Sequence, residues 1–406
     1  MPFPEKTHLK IDFITLSRSD YASIRPVIHE SLKTDAITTG ILVGGSHLLK
    51  QFGRGLSDIA NEFTIDDLIP FMDDNDDTSY DFAKAYAKAV TQCVSIFSKR
   101  NPDRIFIVGD RWELLAVATA ASILRIPIAH HSGGDITQGS ADNQTRYAVS
   151  ALSHLHFVAL PEHKERLLSL GEESWRVFVS GEPALTQILN IKKSPIDIKQ
   201  HLELGEAFND FILATFHPTT YDSLSFSEQA AFYNEVLNRL KLPILLTAPN
   251  PDPGTFTFYE RLKTFVHDNP RVHFVENMGS DAYYSAMMQA KLMIGNSSSG
   301  LWEAPSFKLP VVNIGRRQEE RVRAKNVIDV DLEVNAVIHA VNQALSQHFF
   351  DSLHDCENPY VLPNTNALII DGLLQSCSRQ ALLAKRFEDP LKKYRSHAPS
   401  SQLDLV

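Results

Sequence analysis

The sequence predicts an α/β protein with two doubly wound domains, each built on a parallel sheet. Three observations carry this expectation. Short apolar runs alternate along the chain with longer amphipathic stretches, as βαβ units around a buried parallel sheet require. The alternation comes in two series, with a boundary near Gly171–Ala184. Polar and charged clusters follow directly after the apolar runs, and ligands of open α/β sheets bind beyond the carboxyl ends of the strands.

In the first series, strands are predicted over Ile11–Leu16, Gly40–Val43, Arg104–Val108, Pro127–His130 and Leu155–Ala159. The second offers Val177–Ser180, Phe211–Thr215, Pro243–Thr247, Val272–Val275, Leu292–Ile294 and Val311–Ile314. Helical patterns lie between them, among them Tyr80–Phe97, Leu114–Ile123, Phe226–Leu240 and Tyr283–Ala290. The polar segment Asp197–Asn209 reads as surface near the start of the second domain. These patterns divide the chain into residues 1–175, residues 176–375 and a tail, 376–406. The helical stretch Ala367–Phe387 can pack back across the first domain.

Composition narrows the class. A chain of 406 residues suggests two to three domains. No apolar stretch approaches the roughly 18 residues of a membrane helix, and Met1–Lys6 lacks the basic and apolar start of a signal peptide. Cys93, Cys356 and Cys377 form neither a disulfide framework nor a zinc pattern, which fits a reducing cytoplasm. A formal net charge of −10 argues against duplex nucleic acid as a partner, but local arginines can still hold a small anion. The acidic run Asp73–Asp77 reads as a solvated loop rather than a metal site.

The candidate chemistry sits at the strand ends. Arg18, in Leu16-Ser17-Arg18-Ser19-Asp20-Tyr21, can hold a phosphate with charge-assisted bonds, or be solvated beside a plain helix cap. In Gly109-Asp110-Arg111-Trp112-Glu113, Asp110 can act as acid or base, or cap the next helix. His130-His131-Ser132-Gly133-Gly134-Asp135 is followed by Asp142, which can open a helix carrying Arg146 one turn on. Several carboxylates at one sheet edge suit removal of a proton from carbon and its return; the alternative is caps plus an i,i+4 pair. Adjacent histidines on one strand point opposite ways, which disfavours a metal.

The sharpest motif is Gly295-Asn296-Ser297-Ser298-Ser299-Gly300-Leu301-Trp302-Glu303. Small hydroxyl residues and free N–H groups at a helix start form an anion site, and Glu303 can accept bonds from ribose hydroxyls. His217, Asn250 in Ala248–Gly254, and Arg316-Arg317-Gln318 follow other strands toward the same cleft. His217 is read as a cation near phosphates or a proton donor to them. No dinucleotide fingerprint is present, so no nicotinamide cofactor is expected.

Taken together, Gly109-Asp110-Arg111, Ser153-His154-Leu155-His156-Phe157, Asn296–Gly300, Glu303-Ala304-Pro305-Ser306-Phe307 and Arg323–Asp329 resemble the UDP-N-acetylglucosamine 2-epimerase family, in its hydrolysing branch. The resemblance runs from about Phe13 to Asp329. It implies two Rossmann-like domains facing a cleft (GT-B type) and elimination of UDP to a glycal, which water converts to the free 2-epimer. It matches Asp110 to a family acid/base residue and Asp142 to the carboxylate four residues before an arginine, while Arg18, His217, Asn250, Ser297, Ser298, Glu303 and Arg317 fall on positions that resemble its UDP contacts. Together with the reading of the strand ends, Asp110, Asp135, Asp142 and His217 are the catalytic candidates, and Arg111, Arg146 and Ser299 join the expected substrate contacts. A homo-oligomer, dimer or tetramer, is also implied. Ser132 and Asp135 depart from the family, which has glutamate at one or the other, so substrates of the 4-acetamido-6-deoxy type stay open. A UDP-sugar glycosyltransferase and a non-catalytic UDP-sugar sensor are the competing readings, because a fold does not determine a function.

Overall fold

A computed structural model describes residues 8–50, 55–219, 223–250, 252, 255–375 and 378–389. The readings that concern Met1–Lys6, Pro251, Pro253, Gly254, Cys377 and the tail beyond residue 389 lie outside the described residues.

Two parallel sheets form two lobes. The first contains β1 (Leu9–Thr15), β2 (Ile37–Gly44), β3 (Asp67–Ile69), β4 (Arg104–Val108), β5 (Ile128–His131), β6 (Leu155–Val158) and β7 (Val177–Val179). Their spatial order is β3-β2-β1-β4-β5-β6-β7. The second contains β8 (Ile212–Thr215), β9 (Ile244–Thr247), β10 (Val272–Val275), β11 (Leu292–Gly295), β12 (Val311–Ile314) and β13 (Val327–Val330), in the order β10-β9-β8-β11-β12-β13. Both orders reverse beside their first strand, at β1/β4 and β8/β11. Such switch points open a crevice at the carboxyl ends of the strands.

Strand periodicity explains why these segments are buried. Along β4, Ile105 and Ile107 enter one apolar cluster while Phe106 and Val108 enter another on the opposite face. β8 and β11 do the same, with Ile212, Ala214, Leu292 and Ile294 on one side and Leu213 and Met293 on the other. Alternate side chains point to opposite faces, so a strand covered by helices on both sides must be apolar throughout.

Three points sharpen or correct the expected elements. The strand Val177–Val179, assigned to the second series, pairs with β6 through Phe157↔Phe178 and completes the first sheet. The strand lies inside the boundary region Gly171–Ala184, and an apolar triplet does not encode its sheet. The helix Thr365–Leu374, counted with residues 176–375, packs back on the first domain as the reading of Ala367–Phe387 allowed, burying Ile369, Ile370 and Leu373 against Ile24, Val27 and Ile28 of the helix Arg18–Ser31. The chain thus crosses back and adds Leu382 to the first lobe's core. β3 and β13 were not foreseen: both are edge strands, carrying exposed Leu68 and Asp329 in place of a buried apolar run. Among the described residues no helix is long and apolar enough to cross a membrane.

Gly295 ends β11 with φ +135, and a Cβ there would lie 1.8 Å from the Thr215 carbonyl oxygen. Only glycine lets β11 close on β8 and carry the serine loop to His217. Gly295→Ala is expected to cost the second lobe more than about 3 kcal/mol, because a left-handed conformation is compounded by a backbone clash. A thermal melt close to that of the parent protein would rule this out.

Candidate active site

The carboxyl ends of both sheets open on one cleft of about 540 Å³, within the size range of small-ligand sites. Arg18, Asp110, Arg111, Asp142, His217, Asn250, Ser297, Ser298, Ser299, Glu303 and Arg317 all line it. Asp135 and Arg146 are absent from its lining.

Asp110 follows β4 through Gly109. The next helix, Trp112–Ile123, starts after Arg111 with no side-chain cap, so Asp110 is not spent on capping. Its carboxylate instead accepts a bond from Arg146, which also donates to Thr137 Oγ1 at 2.6 Å and to the Asp135 carbonyl at 3.0 Å. Arg146, expected as a substrate contact, lies fully buried beneath Asp110. The anticipated Asp142–Arg146 pair gives way to this arrangement. Asp142, first residue of the helix Asp142–Leu152, faces Arg317 at 3.8 Å.

Two cleft carboxyls are thereby pushed in opposite directions. Burial raises Asp110, yet Arg146 and then Arg321 outweigh it and hold the group below the usual carboxylate range. Burial also raises Asp142, and there Asp110 and Asp252 add to the shift. One carboxyl is held below the usual range and its neighbour above it, the direction in which an acid/base pair is tuned.

Asp135, expected among the catalytic groups, is 2% exposed. Its Oδ2 lies 2.7 Å from Arg321, and its Oδ1 lies 3.4 Å from His163 and accepts from the Ile136 N–H at 2.8 Å. Its carboxylate faces Arg321 and His163 and does not itself line the cleft. Arg111 reaches the cleft but binds Glu113 at 3.1 Å and Asp252 at 2.9 Å across it. Its charge is shared with these carboxylates rather than held for a phosphate.

On the second lobe, His217 is locked by Asn296. The His217 N–H donates to Asn296 Oδ1 at 2.7 Å, and Asn296 Nδ2 donates to the His217 carbonyl at 2.8 Å. Its ring Nδ1 accepts the Asn250 N–H at 3.1 Å, which puts the ring proton on Nε2. Burial, then the charges of Arg317, Arg18 and Arg111, drive its pKa well below the ordinary value. Of the two sequence readings, this geometry favours the neutral donor.

The serine motif also differs from expectation. The helix it opens, Ser299–Trp302, has four residues before Pro305 enters a 3₁₀ turn, Ala304–Phe307. So short a helix has little dipole, and the positive charge comes from Arg18 and Arg317. Arg18 crosses from the first lobe to the carbonyl oxygens of Glu276, Ala248 and Pro249. Arg317 donates to the Asn296 carbonyl at 3.1 Å, whereas Arg316 is exposed and paired with Glu319. Only the second arginine of the doublet serves the cleft. Glu303 is buried, and its Oε2 has no hydrogen-bond partner; burial and then Glu182 push its carboxyl up to about 8.

Two residues escaped the sequence reading. Tyr283 lines the cleft together with Thr215, Ser297 and Ser299, but in sequence it is one aromatic in an amphipathic helix. Arg321 sits in Gln318-Glu319-Glu320-Arg321-Val322-Arg323, which looks like a solvated charged loop. The one usable signal was its place shortly after β12.

Comparison with known proteins adds an independent line. The family described as "UDP-N-acetylglucosamine 2-epimerase" matches residues 30–374. A GDP/UDP-N,N'-diacetylbacillosamine 2-epimerase (hydrolyzing) of Campylobacter jejuni is 34% identical over 94% of this chain and 99% of its own. A UDP-N,N'-diacetylbacillosamine 2-epimerase (hydrolyzing) of Legionella pneumophila is 33% identical over 83% of this chain and 89% of its own. Among solved structures, UDP-GlcNAc 2-epimerase from Neisseria meningitidis bound to UDP-GlcNAc shares the fold with a TM-score of 0.76. It is 20% identical, with 90% of this chain and 100% of that chain covered.

Proposed function

This chain belongs to the UDP-N-acetylglucosamine 2-epimerase family, in its hydrolysing branch, and from that premise we propose that it converts a UDP-2-acetamido sugar to UDP and the free 2-epimer. UDP-N,N'-diacetylbacillosamine is the first candidate substrate, because the relatives at 33–34% identity carry that name. UDP-N-acetylglucosamine, yielding N-acetylmannosamine, is the second. Either product suits the synthesis of nonulosonic acids of the legionaminic or sialic type.

The observation that carries the reading is the pair Asp110 and Asp142, shifted in opposite directions by their surroundings, in a cleft shared with Glu303, His217 and Arg317. Asp110, as the ionised group, takes the proton from C2. The C2–H pair becomes the C1=C2 bond, the C1–O bond breaks, and its electrons leave on the β-phosphate. Arg18, Arg317 and the Nε2–H of His217 stabilise that charge, while Ser297–Ser299 and Glu303 hold the diphosphate and ribose. Water then adds its oxygen at C1 of the glycal while Asp142 delivers a proton to the opposite face of C2; the proton that water gives up returns to Asp142, and the one taken from C2 leaves Asp110 for solvent. Each such acid/base group is worth roughly 10²–10⁴-fold in rate.

Incubation of each substrate in heavy water tests this. The expected result is UDP plus a free 2-epimer with deuterium at C2. UDP release without label at C2 would exclude proton abstraction there, and an absolute need for an acceptor sugar would favour a glycosyltransferase.

A further inference from the structure

The acid/base site is completed by a side chain from the opposite lobe. Arg321, in the loop between β12 and β13, is buried and reaches into the first lobe. Its Nη2 lies 2.7 Å from Asp135 Oδ2 and 3.8 Å from Asp110 Oδ2, and its Nε donates to the Ile136 carbonyl at 2.8 Å. It is braced within its own lobe by Gln318 Oε1 at 2.9 Å and by the Trp302 ring, 5.1 Å away. The segment it grips, Asp135–Thr137, is the one that anchors Arg146, the other cation on Asp110. Next to it, Gln138 bonds Glu320 at 2.8 Å. A Cβ on Gly139 would lie 2.8 Å from the Arg317 Cα, so the two loops are in backbone contact.

We propose that Arg321 is a positioning residue lent by the second lobe to the first: it clamps Asp135–Thr137 and faces Asp110, so the carboxylate that abstracts the proton is assembled only when the lobes are together. Asp135 then serves as the receiver of Arg321 rather than as a proton carrier. A device of this kind confines C2 deprotonation to the closed cleft, where UDP and sugar are both seated. The inference rests on the proposed role of Asp110 and adds the source of its competence.

The charged groups around Asp110 are Arg146 from its own lobe, Arg321 and Arg317 from the second lobe, and the carboxyls of Asp135 and Asp142. Removing Arg321 takes one cation from this set, so Asp110 holds its proton to higher pH. An opposite charge at this distance is worth about one pH unit or more.

The test uses the full-length enzyme with the substrate that the parent turns over. Arg321→Met is expected to lower kcat at least about 30-fold and move the acid limb of the kcat–pH profile upward by about one unit, with UDP affinity within about threefold of the parent. Arg321→Lys, which keeps the charge but loses the fork, is expected to restore the limb while recovering only part of the rate. Asp135→Asn is expected to lower kcat by releasing Arg321, again without loss of UDP binding. An unmoved acid limb in Arg321→Met overturns the proposal, as does loss of UDP affinity without a change in profile, which would make Arg321 a phosphate contact. Should Arg321→Met fail to fold, the proposal falls if Arg321→Lys and Asp135→Asn both keep the parental kcat. Failure of the parent enzyme to label C2 would instead strike the underlying reading of Asp110.

Discussion

Replacing Asp110 by asparagine is expected to abolish turnover, lowering kcat by at least about 10³-fold while leaving UDP binding within a few-fold of the parent. The side chain keeps its shape, but an amide cannot take a proton from C2. The change also leaves the fully buried Arg146 without its carboxylate partner. Breaking a buried pair from one side costs about 3–5 kcal/mol, so a lower melting temperature is expected alongside the lost activity. The binding measurement separates the two effects: an unfolded variant binds no UDP, whereas a folded one binds and does not turn over. Asp142→Asn should fail differently. If Asp142 returns the proton, UDP is still released and the unsaturated glycal accumulates, visible by its vinyl proton. Normal turnover in either variant would remove that residue from the mechanism.

A pH-dependent affinity for UDP, controlled by Glu303, is the second large effect. Its carboxyl is pushed up to about 8 by burial and then by Glu182, so it carries its proton at neutral pH. Ribose hydroxyls donate best to a carboxylate, so binding releases that proton. A group that loses a proton on binding makes affinity rise with pH until the pKa of the free protein is passed. Between pH 7 and pH 8 the gain is about fivefold, and it levels off above pH 8. The diphosphate is already fully ionised there, and His217 stays neutral because its pKa lies well below the ordinary value. Glu303→Gln should bind UDP more weakly at pH 8, by about 1.5–3 kcal/mol, with no dependence on pH across this range. Calorimetry in buffers of different ionisation heat reads the released proton directly. A parental affinity flat from pH 7 to pH 9 would remove the carboxylate from ribose recognition.

Much of this architecture was legible because burial on both faces forces a strand to be apolar throughout. Arg104–Val108 and Val311–Ile314, both interior strands, were read with the bounds the structure shows. Their ends pointed to Asp110 and Arg317, and other strand ends pointed to His217 and the serine loop. Edge strands carry no such demand, which is why Asp67–Ile69 and Val327–Val330 went unread. The crossing of Thr365–Leu374 back to the first lobe was also only a possibility in the sequence, since an amphipathic helix does not name its partner.

What the sequence by itself determined is the set of polar groups carried to the strand ends, because that follows from local patterning. Which of those groups touch the cleft, and which are charged, was decided by tertiary structure alone. Asp110 and Asp135 are both aspartates after strands, yet one lines the cleft and the other is sealed against Arg321. Asp110 and Asp142 both face the cleft, yet their protons are held differently. Arg321 stands more than 200 positions from Asp110 in the chain and 3.8 Å from it in space. Ionisation depends on distances between charges and on their exclusion from water, and neither exists until the lobes are folded against each other.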